Sequence, residues 1–126
     1  NVGVFRTEEG LNSAVRLLSD SAERVRSAAL SCRSLQMNQE LVQRWELDNL
    51  LSVSMVIAQG ALRRKESRGG HARIDFPQRS DEFNAHTLAY MADFGRIRFE
   101  SRPVDMSLFD VKGEHHEKFG LIERNY

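Results

Sequence analysis

Apolar positions step along the first part of the chain at helical spacing. Leu11, Val15, Leu18, Ala22, Val25 and Ala29 follow at alternating intervals of four and three, while Arg16, Asp20, Glu23, Arg24 and Arg26 lie off that stripe. Thr7 is placed to cap an N-terminus, and Glu8 and Glu9 suit the first turn of the helix dipole. The pattern predicts a one-faced packing helix over about 7–33. Ser34 to Asn38 is a polar connection, and Asn38 is a cap for a second helix over about 38–65. That helix would be about 40 Å long. A short connection between two long helices predicts an antiparallel hairpin.

The second helix differs in texture. From Leu50 to Leu62 it carries no charge. Leu47, Leu50, Leu51, Ser54, Ile57, Ala58 and Ala61 share one face, with Val53, Val56 and Met55 partly around the other side. A helix apolar nearly all round is covered on several sides, and the first helix covers only one. The uncharged run is too short to span a bilayer. Glu46 and Asp48 precede it and read as partners for a basic residue or a cap.

After this run the period is lost. Residues 66–84 read as a loop around Gly69-Gly70 and Pro77, with a charged turn from Gln78 to Asn84. His86-Thr87-Leu88-Ala89-Tyr90-Met91, then Asp93-Phe94-Gly95, then the alternation Arg96-Ile97-Arg98-Phe99-Glu100-Ser101 predict a β-hairpin over about 86–104. Pro103 suits a strand end. Residues 105–126 form an irregular tail; its charged part from Phe109 on is expected to wrap the surface or stay mobile. The fold class is mainly α, a helical hairpin with a small C-terminal β-hairpin.

Composition narrows the function classes. The 126 residues fit one small domain. Eighteen Lys and Arg balance eighteen Asp and Glu, so no global field points to nucleic acid or an acidic membrane. The single cysteine, Cys32, allows no internal disulfide and reads as a small packing residue. No apolar run is long enough for a transmembrane helix, and no direct membrane insertion is expected. The opening Asn1-Val2-Gly3-Val4-Phe5 has neither an initiator Met nor a signal pattern, and reads as an internal cut from a longer chain.

The chemistry-bearing stretch is Arg63 to Pro77. Arg63, Arg64, Lys65, Arg68 and Arg73 stand there with His71, Glu66 and Asp75 around the glycine pair. A phosphate cradle would precede a helix, whereas these glycines follow one. His71, His86, His115 and His116 lack metal-ligand spacing. Ser67 and His71 are near in sequence, with nothing to show that they meet. Interleaved acids and a single nearby aromatic, Phe76, argue against nucleic acid. The remaining reading is a docking corner whose arginines form fixed ion pairs with another polypeptide.

Several segments together carry a family resemblance: Glu46-Leu47-Asp48-Asn49-Leu50-Leu51, Arg64-Lys65-Glu66-Ser67-Arg68-Gly69-Gly70-His71-Ala72-Arg73, Asp75-Phe76-Pro77-Gln78-Arg79-Ser80-Asp81 and His86-Thr87-Leu88. The chain resembles the C-terminal domain of the flavoprotein subunit of succinate dehydrogenase and fumarate reductase, from Val4-Phe5-Arg6 to the closing Arg124-Asn125-Tyr126. The corresponding part of L-aspartate oxidase is a less similar relative. A stand-alone helical interaction module is the reading from another class.

The resemblance implies a parent oxidoreductase interconverting succinate and fumarate, with FAD bound by a separate N-terminal domain. It implies no catalytic, cofactor-binding or metal residue in this chain, which is expected to be inactive alone. Arg68 and His71 are the only candidates for touching the edge of the dicarboxylate site. Arg64, Glu66, Arg68, His71, Arg73 and Arg79 are expected at or near the surface packed against the FAD-binding domain, with an iron–sulfur subunit adjacent. The parent would sit on the cytoplasmic side, peripheral to the membrane through partner subunits. The family domain is a three-helix, spectrin-repeat-like bundle whose first helix precedes Val4-Phe5-Arg6 and is lacking here. Self-association over Leu50 to Leu62 is therefore expected.

Overall fold

A computed structural model describes residues 2–107. Its elements run β1 (Phe5–Arg6), α1 (Glu8–Ser27), α2 (Gln39–Arg63), β2 (Ala72–Arg73), a 3₁₀ turn (Asp81–Phe83), β3 (Ala85–Asp93) and β4 (Arg96–Pro103). The mainly α reading holds: two helices form a hairpin, with a small antiparallel β-hairpin beside it. The expected tail from Phe109 on lies outside the described residues.

Both helices start where their caps lie. Thr7 Oγ1 accepts from Gly10 N at 3.1 Å, and Asn38 Oδ1 accepts from Leu41 N at 3.0 Å. These bonds satisfy N–H groups that the helix cannot. Helix α1 stops at Ser27, short of the expected 33. The reason lies in α2. The Glu40 carboxylate accepts from Ser31 N at 3.0 Å, from the Ser31 hydroxyl at 2.9 Å and from Cys32 N at 2.8 Å. Arg44 Nη1 donates to the Ala28 carbonyl at 3.2 Å. Side chains of the second helix thus claim backbone groups that a longer first helix would use. Cys32 is exposed, not a packing residue.

The core is thin. Its buried apolar side chains are Leu11, Ala14 and Ala22 of α1, Leu51, Met55, Ala58 and Ala61 of α2, and Ala72 of β2. Most are alanines. The inward face of α2 centres on Leu51, Met55 and Ala58, so Met55 is inside, while Leu50 and Ile57 point out. Leu50 is 63% and Val53 59% exposed. Asp48 pairs with Arg44 at 3.2 Å one turn away, the ordinary role for a carboxylate at that place.

The β-hairpin pairs in register from Ala85↔Pro103 to Met91↔Ile97, with a bulge between Met91 and Asp93 before a turn at Gly95, whose φ is +79°. It leans on α2: Arg63 Nη1 donates to the Phe99 carbonyl at 3.1 Å, and the guanidinium lies 5.6 Å from that ring's centre. One pairing has no counterpart in the local sequence pattern. Strands β1 and β2 run parallel, Phe5 beside Ala72 and Arg6 beside Arg73, and tie the beginning of the chain to the loop after α2.

Candidate functional site: a buried ionic corner

The loop after α2 is folded by its charges. A turn at Gly69, φ +59°, lets Arg68 and His71 exchange backbone hydrogen bonds at 2.8 and 3.0 Å. This folding returns the chain toward the end of α2 and carries Arg73 beneath it. Arg73 is 1% exposed. Its Nε and Nη2 donate to the two Asp75 carboxylate oxygens, each at 2.7 Å. Its Nη1 donates to the Ala61 and Leu62 carbonyls at 3.1 and 3.2 Å. Glu8 of α1 lies 3.6 Å from Nη2, and the Phe76 ring stacks 4.9 Å from the guanidinium. One side chain thus caps the C-terminal end of α2 and reaches the start of α1, which the antiparallel hairpin places beside it. A cation at a helix C-terminus also meets the favourable end of the dipole.

Glu66 is the second centre, fully buried at 0% exposure. It pairs with Arg64, accepts from Arg68 Nε at 3.0 Å and accepts from Ser80 N at 2.9 Å. Arg64 also donates to the Phe83 and Ala85 carbonyls at 2.9 and 2.8 Å; Arg68 donates to the Ser80 carbonyl at 2.9 Å. Two guanidinium forks around one carboxylate join the end of α2 to the 3₁₀ turn and the start of β3. Burial pushes the Glu66 carboxyl up. The Arg68 hydrogen bond, the Ser80 N–H, the Arg68 charge and the Arg64 hydrogen bond outweigh it, so its pKa lies below the usual range. The Arg73 hydrogen bonds likewise hold Asp75 well below the ordinary carboxylate range.

His71 joins β1 to the end of α2. Arg6 Nη1 lies 2.8 Å from Nδ1, and the Arg64 carbonyl lies 3.1 Å from Nε2. An arginine only donates and a carbonyl only accepts, so the ring is neutral with its proton on Nε2. Burial lowers its pKa, and the Arg6, Arg64 and Arg73 charges lower it further against the Arg64 carbonyl, which raises it.

Every expected site residue except Arg79 is thus engaged inside the corner. Ser67 does not reach His71: its hydroxyl accepts from Arg73 N at 2.8 Å and donates to the Phe76 carbonyl at 2.9 Å. Arg79 stands apart, with a buried Nε that has no acceptor among the described residues. Glu66 and Arg73 are interior, and reach another polypeptide only through the residues they position. Sequence reasoning missed Arg6, Ser80 and Asn84, whose Oδ1 accepts from Arg68 Nη1 at 3.4 Å, as members. Arg6 lies 65 positions from His71, and no local pattern joins them. No group of three or more His, Cys, Asp or Glu is arranged for a metal among the described residues.

The family described as "Fumarate reductase flavoprotein C-term" matches residues 1–126. The chain belongs to that family. The succinate dehydrogenase flavoprotein subunit of Rickettsia bellii (strain RML369-C) is 37% identical over 108 residues, 85% of this chain and 18% of the relative. The mitochondrial succinate dehydrogenase [ubiquinone] flavoprotein subunit of Oryza sativa subsp. japonica is 39% identical over 115 residues, 90% of this chain and 18% of the relative. A solved E. coli quinol fumarate reductase, with a mutation in FrdA, superposes with a TM-score of 0.77 at 34% identity, over 81% of this chain and 18% of that one. The chain spans 18% of the length of these relatives. Within this flavoprotein C-terminal family, the Arg64–Arg73 segment that carries the resemblance folds into the ionic corner.

Proposed function

We propose that this chain is the C-terminal packing and assembly domain of an FAD-dependent flavoprotein subunit that interconverts succinate and fumarate. One observation carries the reading: the reactive-looking groups of the corner are bonded to one another. Arg64, Arg68 and Arg73 each hold a carboxylate, and both nitrogens of His71 are occupied. Such a corner braces a loop and offers no general base. Arg68 and His71, the candidates for the edge of a dicarboxylate site, serve that bracing first. They would act on substrate only by giving up these bonds.

FAD does not fit the residues of this chain. The only glycine pair follows the C-terminal end of α2, where a helix presents carbonyls rather than the N–H groups that cradle a pyrophosphate. The flavin belongs to another part of the parent, and the face formed by Arg64, Arg68, His71 and Arg79 packs against that part, close to an iron–sulfur subunit. No described helix is long and apolar enough to cross a membrane. In this reading the parent sits on the cytoplasmic side, peripheral to the membrane through its partner subunits.

Purified alone, the chain is expected to show no flavin absorbance and no succinate-driven dye reduction; either signal overturns the reading. In the full-length parent, Arg68→Ala is expected to lower flavin retention or subunit assembly. Unchanged flavin content and assembly would count against a packing role.

A further inference from the structure

Beside His71 an open cleft of about 280 Å³ runs between α2 and the β-hairpin. Val56 and Ile57 form one wall and Ala89 and Phe99 the other, with Arg6 and His71 at the polar end. No carboxylate of the described residues lines it. Arg64, Arg68 and Arg73 each reach a carboxylate in the corner, whereas Arg6 reaches none among the described residues. Arg6 is nevertheless held in place. Its Nε donates to the Gly3 carbonyl at 2.8 Å and its Nη1 to His71 Nδ1 at 2.8 Å. Its own carbonyl accepts from Ile74 N at 2.9 Å. A half-buried guanidinium fixed by neutral acceptors has lost part of its water without gaining a counter-charge, and a planar anion is the group that suits its fork.

The surroundings sharpen this. Arg6 on β1, Arg64 at the end of α2 and Arg73 on β2 all lower the pKa of His71. Arg64 is offset by Glu66, and Arg73 by Asp75 and Glu8. The hairpin wall offers Thr87, Ala89 and Phe99, none titratable. Ile57 also belongs to the exposed apolar side of α2 with Leu50 and Val53, so the cleft continues an exposed apolar surface.

We propose that the cleft is a docking site for a polypeptide segment that places an Asp or Glu carboxylate on Arg6 while apolar neighbours lie against Ile57 and Phe99. His71 is a positioning residue: its Nδ1 aims the guanidinium. The proposal rests on the reading that this chain packs against another polypeptide, and it supplies the chemistry of one contact.

The test uses the chain itself, with acetyl-Leu-Glu-Leu-amide as probe, acetyl-Leu-Gln-Leu-amide as its uncharged match, and acetate as the free anion. The Arg6 Nε–H and His71 ring signals are followed by NMR. The Glu peptide is expected to shift both signals, to raise the His71 pKa, and to bind about tenfold tighter than the Gln peptide. Arg6→Gln should abolish that preference. Ile57→Ser, on a half-exposed position that leaves the fold intact, should weaken the peptide without changing its preference for Glu. Equal binding of both peptides overturns the proposal, as does the absence of any shift at Arg6 and His71. If acetate reproduces the effect and Ile57→Ser changes nothing, the site takes a free small carboxylate and the docking segment is overturned. These outcomes are read on the chain alone, so they are separate from whether its parent retains flavin.

Discussion

The ionic corner and the outer face of α2 invert the usual division of a small domain. In the corner, Glu66 and Arg73 are among the most deeply buried side chains of the described residues. On the outer face, Val42, Trp45, Leu50, Val53 and Ile57 stand in solvent. The difference lies in what each region completes by itself. A buried charge is tolerated when every donor and acceptor finds a partner, and the corner meets that condition within one loop and the two helix ends it touches. An apolar face is completed only by another surface, and α1 covers just the side bearing Leu51, Met55 and Ala58. The corner therefore maintains the fold of this chain, and the outer face is where the expected self-association would act.

The largest effect is expected from breaking the corner at its centre. Arg73→Ala strands Asp75 and leaves the Ala61 and Leu62 carbonyls without their donor. Asp75 is part exposed and rehydrates, so the two unsatisfied carbonyls, at about 1–3 kcal/mol each, set the cost at about 3–5 kcal/mol, read as a lower urea midpoint. A cost below about 1 kcal/mol would mean that the clamp is dispensable. Glu66→Ala is next, at about 2 kcal/mol, because Arg64 and Arg68 can partly rehydrate.

Acid probes the same corner without mutation. The His71 pKa is lowered on folding from its ordinary 6.5, so the unfolded chain binds the proton first as pH falls. This contribution is complete above that value and is lost as pH drops through it toward the folded pKa. Glu66 and Asp75, lowered from 4.5 and 3.8, add a second loss as pH falls below those values. Urea midpoints should decline from pH 7 to 5 and steeply below pH 4, and His71→Gln should remove the first step. A flat midpoint between pH 7 and 5 would show that His71 is not held neutral.

The smallest effect on stability should come from the outer face. Val53→Lys is expected to shift unfolding by no more than about 0.5 kcal/mol. The same substitution should abolish the self-association expected of the unsubstituted chain at high micromolar concentration, seen by sedimentation. A clean monomer before substitution would end the idea that this face recruits a second copy.

Much of the architecture was legible because it rests on local chemistry. Thr7 and Asn38 cap where their side chains reach the third N–H group of a helix. The alternation from Arg96 to Ser101 and the turn at Gly95 fix the hairpin, since a half-buried strand needs period two. The end of α1 was not legible, because Glu40 and Arg44 intervene from the other helix. Nor was the membership of the corner. Arg64, Glu66, Arg68, His71 and Arg73 stood out as a charged stretch and as family signature, but which cation meets which acid depends on the turn at Gly69 and on β1 returning beside β2.

By itself the sequence determined the two helices, the hairpin and the family, since caps, periodicity and an ordered motif act over a few residues at a time. Tertiary structure alone decided that Arg73 closes both helix ends, that His71 is neutral between Arg6 and the Arg64 carbonyl, and that Arg6 meets no acid among the described residues. Those outcomes depend on distances between residues far apart in the chain. A row of charges states which partners are available, and only the closed fold assigns them.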